Sequence, residues 1–175
     1  MRAPASRRAA LYGYHYRIDD LIERFQTTPD DFFFRNRGRA RLRGVEFETQ
    51  VDLPWRLSVA AAAQAARGRT PGAGTFLDGI STETGSVQVR RAIGARAFAQ
   101  VRTAWFAVDD RPGPTERVVP GYTLVDLGAG VTVLKHLELR GLVRNLTDET
   151  YFASQDVRAV SAPGRMASLT AVVRF

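Results

Sequence analysis

Arginines occupy every second position over a short segment of the chain, and this spacing is the feature of the sequence best suited to binding an anion. They are Arg35, Arg37, Arg39, Arg41 and Arg43. Because successive side chains of a strand point to opposite faces, the spacing predicts that all five lie on one face. Such a cationic wall would attract an anionic ligand or the carboxylates of a partner. The alternative is a structural role on a solvated face, with Glu46 and Glu48 among the pairing groups.

The alternation changes phase at Gly44, because Val45 and Phe47 occupy odd positions like the arginines but are apolar. A β-bulge at Arg43 and Gly44 would absorb the extra residue and keep the arginines on the wet face of the strand. We therefore expect a bulge there, and the five arginines are the candidates for a lumen-facing, ligand-binding stripe. Paired aspartates occur near predicted loops at residues 19–20, 30–31 and 109–110, where a calcium site is one interpretation and solvated loop tips are the favoured one.

Residue patterns typical of catalysis are missing. The chain has no cysteine, which excludes disulfides, thiolate metal sites and thiol nucleophiles. His15 and His136 are far apart and do not have the spacing of metal ligands. Gly128 and Gly130 lack the third glycine and the following helix of a dinucleotide loop, so they are predicted to be strand glycines facing a lumen. We predict no catalytic residue, no cofactor, no metal site and no enzymatic activity.

The elements that must position the arginines are strands, because apolar residues recur at spacing two and helix signals are poor. This pattern predicts an all-β fold with about eight antiparallel strands. The segments are residues 10–18, 45–53, 57–66, 87–90, 97–105, 125–133, 137–144 and 166–175. The last segment ends the chain on an aromatic residue, Phe175. Strands with one apolar and one polar face suit a barrel with lipid outside and water inside.

The connections between these segments alternate in length. Short turns are predicted near residues 52–55, 93–95 and 134–136. Long loops are predicted near residues 27–31, 67–82, 108–120 and 154–165. Short turns at one rim and long loops at the other are typical of outer-membrane barrels. Trp55 beside a short turn, with Trp105, Phe106, Tyr122, Tyr151 and Phe152 near the long loops, predicts aromatic girdles at both rims.

The net charge of +7 would ordinarily suggest nucleic acid as a partner. Lys135 is the only lysine, however, so the basic excess is almost entirely arginine and reflects composition more than a phosphate-binding surface. A soluble, basic β-protein that binds nucleic acid through the arginine stripe remains one alternative, with affinity falling steeply with salt. A self-contained eight-stranded barrel with a structural or adhesive role is another.

Four blocks of sequence resemble TonB-dependent receptors. Residues 36–48 (NRGRARLRGVEFE) resemble a strand motif that recurs in these receptors, and residues 120–129 (PGYTLVDLGA) resemble the start of a late strand. Residues 143–151 (VRNLTDETY) are similar to the block that follows, and residues 163–165 (PGR) precede the last strand. The order and spacing of the blocks match the C-terminal part of such a receptor.

The resemblance implies a large barrel, of the class with 22 strands around a plugged lumen, that imports ferric siderophores or similar scarce nutrients. Residues 1–8 are then predicted to be a disordered or truncated lead-in, and residues 9–175 the C-terminal segment of the barrel, without a signal peptide, plug domain or TonB box. The implied location is the bacterial outer membrane. Implied partners are its lipid, the barrel-insertion machinery that reads the strand ending at Phe175, TonB through N-terminal parts, and a small ligand such as a ferric siderophore. Nucleic acid is not among them.

Overall fold

Residues 6–28, 30–36, 38–72 and 74–174 are described in this computed structural model, and they form ten strands. The strands are β1 (Arg7–Ile18), β2 (Ile22–Gln26), β3 (Phe32–Asn36), β4 (Ala40–Leu53), β5 (Leu57–Arg69), β6 (Thr84–Ile93), β7 (Ala97–Phe106), β8 (Tyr122–Leu134), β9 (Leu137–Arg144) and β10 (Met166–Val173). None of the helices in this part of the chain is long and apolar enough to cross a membrane. The prediction of an all-β fold is confirmed.

Eight of the strands form one antiparallel sheet in the order β1-β4-β5-β6-β7-β8-β9-β10, while β2 and β3 form a separate hairpin. The prediction of about eight barrel strands is therefore confirmed. Within the described residues, β1 pairs only with β4 and β10 only with β9. The sheet is thus open at both edges, which does not support the alternative of a self-contained, eight-stranded closed barrel.

The two faces of the sheet differ in polarity because odd and even residue numbers keep to opposite faces from β1 to β10. One continuous row of paired odd residues crosses seven strands and is entirely apolar. It consists of Val51, Val59, Val89, Val101, Leu127, Val143 and Ala167. We call this odd-numbered face the outer face, since a barrel wall turns its apolar side to lipid. Leu169, whose side chain is 78% exposed, lies on the same face and would be covered by lipid.

The even-numbered, inner face carries the acidic and amide side chains of the eight-stranded sheet. Arg102 lies 3.8 Å from Asp126, and Arg140 donates to Glu138 at 2.9 Å. Gly130 faces the ring of Phe98, which an added Cβ would overlap, so a larger residue there would have to displace the ring. The predicted inward position of this glycine is confirmed. The inner face is polar on β4 and from β6 to β9, whereas on β1 it carries Tyr12, Tyr14, Tyr16 and Ile18.

Aromatic residues near the rims divide between the two faces. Trp105 lies on the outer face, covering Gly85, and Trp55 stands 80% exposed at a short turn. Phe106 and Tyr122 instead pair on the inner face. The predicted girdle is therefore wrong for Phe106 and Tyr122, because the pairing register and not proximity to the rim decides which face a ring occupies.

The connections follow the predicted alternation. The short ones are a 3-10 turn at Pro54–Arg56, residues 94–96 and residues 135–136. The long ones are residues 19–39, 70–83, 107–121 and 145–165. The first long connection contains the β2–β3 hairpin, which the sequence did not predict. β1 begins at Arg7, two residues before the predicted start of the barrel segment, while residues 1–5 and Phe175 lie outside the described part of the chain.

Candidate ligand-binding face

The four long connections meet at one rim of the sheet, where one residue from each joins a common hydrogen-bond network. Arg24 of the first connection donates to Asp156 of the fourth at 3.1 Å and to the Thr115 hydroxyl of the third at 3.3 Å. Thr115 in turn donates from its backbone N–H and its hydroxyl to the two carboxylate oxygens of Asp78, each at 3.0 Å. Thr115 is 3% exposed, whereas the Arg24 and Asp156 side chains are 37% and 34% exposed, so the network runs from the interior of the loop assembly to its surface.

Glu116 extends the network through backbone groups. Its Oε1 accepts from the N–H of Gly79 at 2.6 Å and its Oε2 from the N–H of Gly113 at 2.8 Å. The next residue, Arg117, donates its N–H to the Gln155 carbonyl at 2.9 Å. Hydrogen bonds to charged groups are stronger than neutral ones, so these contacts fix the second, third and fourth connections against each other.

Arg24 also takes part in a cation–π arrangement that attaches the β2–β3 hairpin to the fourth connection. Its guanidinium lies 4.5 Å from the ring centroid of Phe32, and the guanidinium of Arg158 lies 4.2 Å from the same ring. Such contacts contribute about 0.5–2 kcal/mol each, depending on exposure. The hairpin is therefore held to the fourth connection by both an ion pair and an aromatic contact.

A second ion pair ties the third connection to the start of β6. Both Arg111–Glu83 contacts come from Nη2, at 3.0 Å and 2.8 Å to the two carboxylate oxygens. The hydrogen bond from Arg111 lowers the pKa of Glu83 to about 2, with further lowering by a backbone hydrogen bond and the Thr82 hydroxyl. In the network described above, the backbone N–H of Arg158 and then the side chain of Arg24 lower the pKa of Asp156. Both carboxylates are therefore charged at neutral pH.

Two open cavities lie beneath these connections on the inner face. One has a volume of about 320 Å³ and is lined by Gln64, Thr84, Phe106, Tyr122, Phe152 and Ser154 among others. The other has a volume of about 480 Å³ and is lined by Ile18, Leu42, Arg24, Leu77, Asp78 and Asp156 among others. Each cavity combines apolar or aromatic surface with a few polar groups, which is the usual character of a small-molecule site.

The stacked rings of Phe106 and Tyr122 form one wall of the smaller cavity. The centroids of Phe106 and Tyr122 are 4.4 Å apart, and Tyr151 lies 4.5 Å from Tyr122. Asn145, 3% exposed, positions Tyr151 by closing a turn with Glu149: its side chain donates to the Glu149 carbonyl and accepts from the Glu149 N–H, both at 2.9 Å. The block at residues 143–151 is thus a structural turn that places the Tyr151 ring against Tyr122, a residue that lines the cavity.

The predicted arginine stripe does not form. Arg35 lies on β3, 3.2 Å from Glu23, and Arg39 precedes β4, 3.9 Å from Asp19. Arg41 and Arg43 lie on β4, and Arg37 lies outside the described residues. The structure therefore divides these arginines between a hairpin, a loop and a strand.

The predicted bulge at Arg43 and Gly44 is also wrong. β4 pairs without a register shift from Ala40 to Val51 with β1 and from Arg41 to Leu53 with β5. Arg41 and Arg43 consequently share the outer face with Val45 and Phe47, and neither points into the lumen. Gly44 is needed for another reason, because the Tyr14 ring covers it on the inner face.

The sequence of the chain, compared with known families, matches the family described as TonB dependent receptor-like, beta-barrel over residues 5–146. The chain belongs to this family. Its members are bacterial outer-membrane receptors and transporters, so the outer face of the sheet contacts membrane lipid. No curated protein sequence matches the chain.

Solved structures of TonB-dependent receptors share the fold of the chain. The copper transporter OprC superposes with a TM-score of 0.84 at 18% identity, over 97% of this chain and 29% of that one. The ferric enterobactin receptor PfeA from Pseudomonas aeruginosa superposes with a TM-score of 0.76 at 17% identity, over 95% of this chain and 29% of that one. The ferric-catecholate import receptor Fiu from Escherichia coli K12 gives 0.71 at 19% identity, over 96% and 25%. The chain thus spans less than a third of each of these proteins.

Sequence reasoning missed the four-connection network and found the long connections only as loops. Asp78, Thr115 and Asp156 are ordinary polar loop residues in sequence. Alternating connection length predicts that these loops share a rim, but it cannot predict which side chains meet. The network could be found only from the pairing register of the strands, which determines where each connection leaves the sheet.

Proposed function

We propose that the chain forms a wall segment and part of the ligand-admitting face of an outer-membrane importer for a ferric siderophore or a similar chelated nutrient. The observation that carries this proposal is the network of Arg24, Asp78, Thr115 and Asp156, with one residue from each long connection above two inner-face cavities. Family membership supports import over adhesion, because similar folds include a copper transporter and ferric-siderophore receptors.

The lining of the cavities favours a ligand with both aromatic and charged parts. The stacked rings of Phe106 and Tyr122, which line the smaller cavity, offer flat apolar surface. Arg24 and Asp156 lie at the edge of the larger cavity and offer charged hydrogen-bonding groups. A metal chelate of a small organic molecule has this combination of properties.

The proposed partners follow from the open sheet and from the family. Unpaired backbone groups along β1 and β10 must find partner strands in lipid, so further barrel strands are expected to pair with both edges. Coupling to TonB and recognition of the last strand by the barrel-insertion machinery are proposed from family membership.

The test is uptake of labelled metal by cells in which the gene is deleted and then restored. We expect restoration to recover uptake of iron supplied as a catecholate or hydroxamate chelate, or of copper, and a protonophore to abolish that uptake. Arg24→Gln should reduce the uptake at least several-fold, since it removes both the Asp156 and the Thr115 contacts. The matched control is Arg96→Gln, in a short turn at the opposite rim. If restored cells with normal outer-membrane levels take up no supplied chelate above the deletion strain, the proposal is wrong.

A further inference from the structure

Six basic residues form two adjacent rows across three strands on the outer face. Paired positions across β1, β4 and β5 define the rows: the first consists of His15, Arg43 and Arg67, and the second of Arg17, Arg41 and Arg69. Directly opposed residues on neighbouring strands lie about 5 Å apart, and rows on one face are about 7 Å apart. We call these six residues the basic patch. All six are exposed.

The basic patch begins where the apolar band of these strands ends. The next row toward the short turns is Gly13, Val45 and Ala65. From Val45 to Leu53 the outer face of β4 carries no charged residue, and Thr49 is its one polar side chain. From Val45 to Leu53 the strand extends about 27 Å, which for a strand tilted by 35–45° spans about 20 Å of membrane thickness. The patch therefore lies at the level of lipid headgroups at the long-loop rim.

The patch is confined to this part of the wall. At the corresponding end of β6, β7 and β9 the outer face carries Gly85, Trp105 and Val143. A general need for arginine at the membrane boundary would place it on every strand. Its restriction to three adjacent strands indicates a localised site.

Most of the positive charge in the patch is not neutralised by the protein. Arg67 lies 3.5 Å from Glu83, a carboxylate that Arg111 already binds more closely, and Arg69 stacks on Phe76 at 4.6 Å. Within the described residues, Arg17, Arg41 and Arg43 form no ion pair. Like charges directly opposite each other destabilise a sheet, so an external anion would stabilise this one.

We propose that the basic patch binds the phosphate groups of a phosphorylated lipid headgroup in the outer leaflet. Guanidinium groups bind phosphate oxygens in a bidentate geometry, and the two rows provide several at once. Small side chains lie beneath the patch on β5, where Ala61, Ala63 and Ala65 face outward, leaving room for acyl chains to lie against the wall. A lipid is the occupant because the patch adjoins the apolar band and lies on the opposite face from both cavities. This site is separate from ligand import.

The test uses the protein extracted from outer membranes, stripped of lipid in detergent, and titrated with lipid in native mass spectrometry. The probes are diphosphorylated lipid A, its monophosphorylated form and neutral phosphatidylcholine. We expect diphosphorylated lipid A to bind best and phosphatidylcholine not to bind specifically. The R41Q/R43Q variant should bind diphosphorylated lipid A about 30-fold more weakly, given the usual contribution of each basic residue near an anionic surface.

The matched control is R7Q/R91Q, which also removes two outer-face arginines but at the short-turn rim. It should bind lipid A like the wild type. R41K/R43K keeps the charge and should retain most of the binding, and R17Q provides a milder loss on a different strand. Heat-modifiable gel mobility identifies the variants that fold.

Three results would overturn the proposal. Equal loss in R41Q/R43Q and R7Q/R91Q would show an effect of net charge alone. Equal binding of phosphatidylcholine would show that the acyl chains and not the phosphates are recognised. Displacement of lipid A by millimolar inorganic phosphate would show a site for free anions.

Discussion

The outer and inner faces of this sheet use the same backbone but follow opposite rules. On the outer face, one apolar row continues without interruption across seven strands, and the arginines on this face lie toward the ends of β1, β4, β5 and β6. On the inner face, charged and amide side chains lie within the same depth and are satisfied by neighbours, as Arg90 is by Gln100 at 3.1 Å. On the outer face, whether a charged side chain is tolerated depends on its position along the strand. On the inner face, it depends on which residue lies opposite on the neighbouring strand.

The most direct test of this difference is to introduce the same charged residue on each face at the same depth in the membrane. Val87 pairs with Ala61 and, through it, with Thr49, midway along the band from Val45 to Leu53. Val87→Arg on the outer face should lower the free energy of unfolding by about 2–4 kcal/mol, because arginine near the bilayer midplane is that costly. Gln88→Arg, its neighbour on the inner face, should change it by less than about 1 kcal/mol. Urea unfolding in lipid vesicles measures both. Equal destabilisation would show that the two faces are assigned wrongly.

Glycines on the two faces should also respond differently to a larger side chain. Gly130→Val overlaps the Phe98 ring on the inner face and should cost about 1–3 kcal/mol of unfolding free energy. Gly141→Val, on the outer face with no atom within 4 Å of an added Cβ, should be neutral or stabilise by up to about 1 kcal/mol through β-propensity. The same unfolding assay applies, and a cost at Gly141 as large as that at Gly130 would contradict the packing argument.

A smaller and more local effect is expected where the long connections are tied together. Arg24→Ala removes the contacts to Asp156 and Thr115 and should speed hydrogen exchange in residues 107–121 and 145–165 several-fold, while exchange within the sheet stays unchanged. Arg39→Ala is the control, since Arg39 and Asp19 are 81% and 77% exposed at 3.9 Å and such pairs contribute little. Unchanged exchange in Arg24→Ala would show that other contacts hold the loops.

The smallest effect concerns pH. The pKa of Glu83 is lowered from 4.5 to about 2 by Arg111, so its ion pair stabilises the folded state above pH 4.5 and this contribution is lost as pH falls toward 2. Because the pair is partly solvated, we expect only a few tenths to 1 kcal/mol. The difference in urea midpoint between the wild type and Glu83→Gln should be present at pH 6 and vanish near pH 2. A difference that persists at pH 2 would exclude the ion pair as its cause.

The sequence predicted the main strands because segments such as Val87–Arg90 and Val125–Val133 alternate without interruption. The prediction from sequence failed at Arg41 and Arg43, because two structures explain an arginine at an outward-facing position of the strand pattern. One is a bulge that reverses the two faces of the strand, and the other is the end of the lipid-covered band. Only pairing with β1 and β5 distinguishes them. The β2–β3 hairpin was missed because Phe32, Phe33 and Phe34 are apolar in succession and do not alternate. Membership of the network at Thr115 depends on which loops meet and has no local signal.

The outward position of Trp105 and the exposure of Trp55 have a spectroscopic consequence. These are the chain's two tryptophans, one at each rim, and neither belongs to the lining of the two inner-face cavities described above. Their fluorescence emission is therefore expected to shift to shorter wavelength on membrane insertion and to respond little to a ligand inside. Quenchers attached at different depths of the lipid would then measure the hydrophobic height of the wall directly, with each rim read by its own single-tryptophan variant.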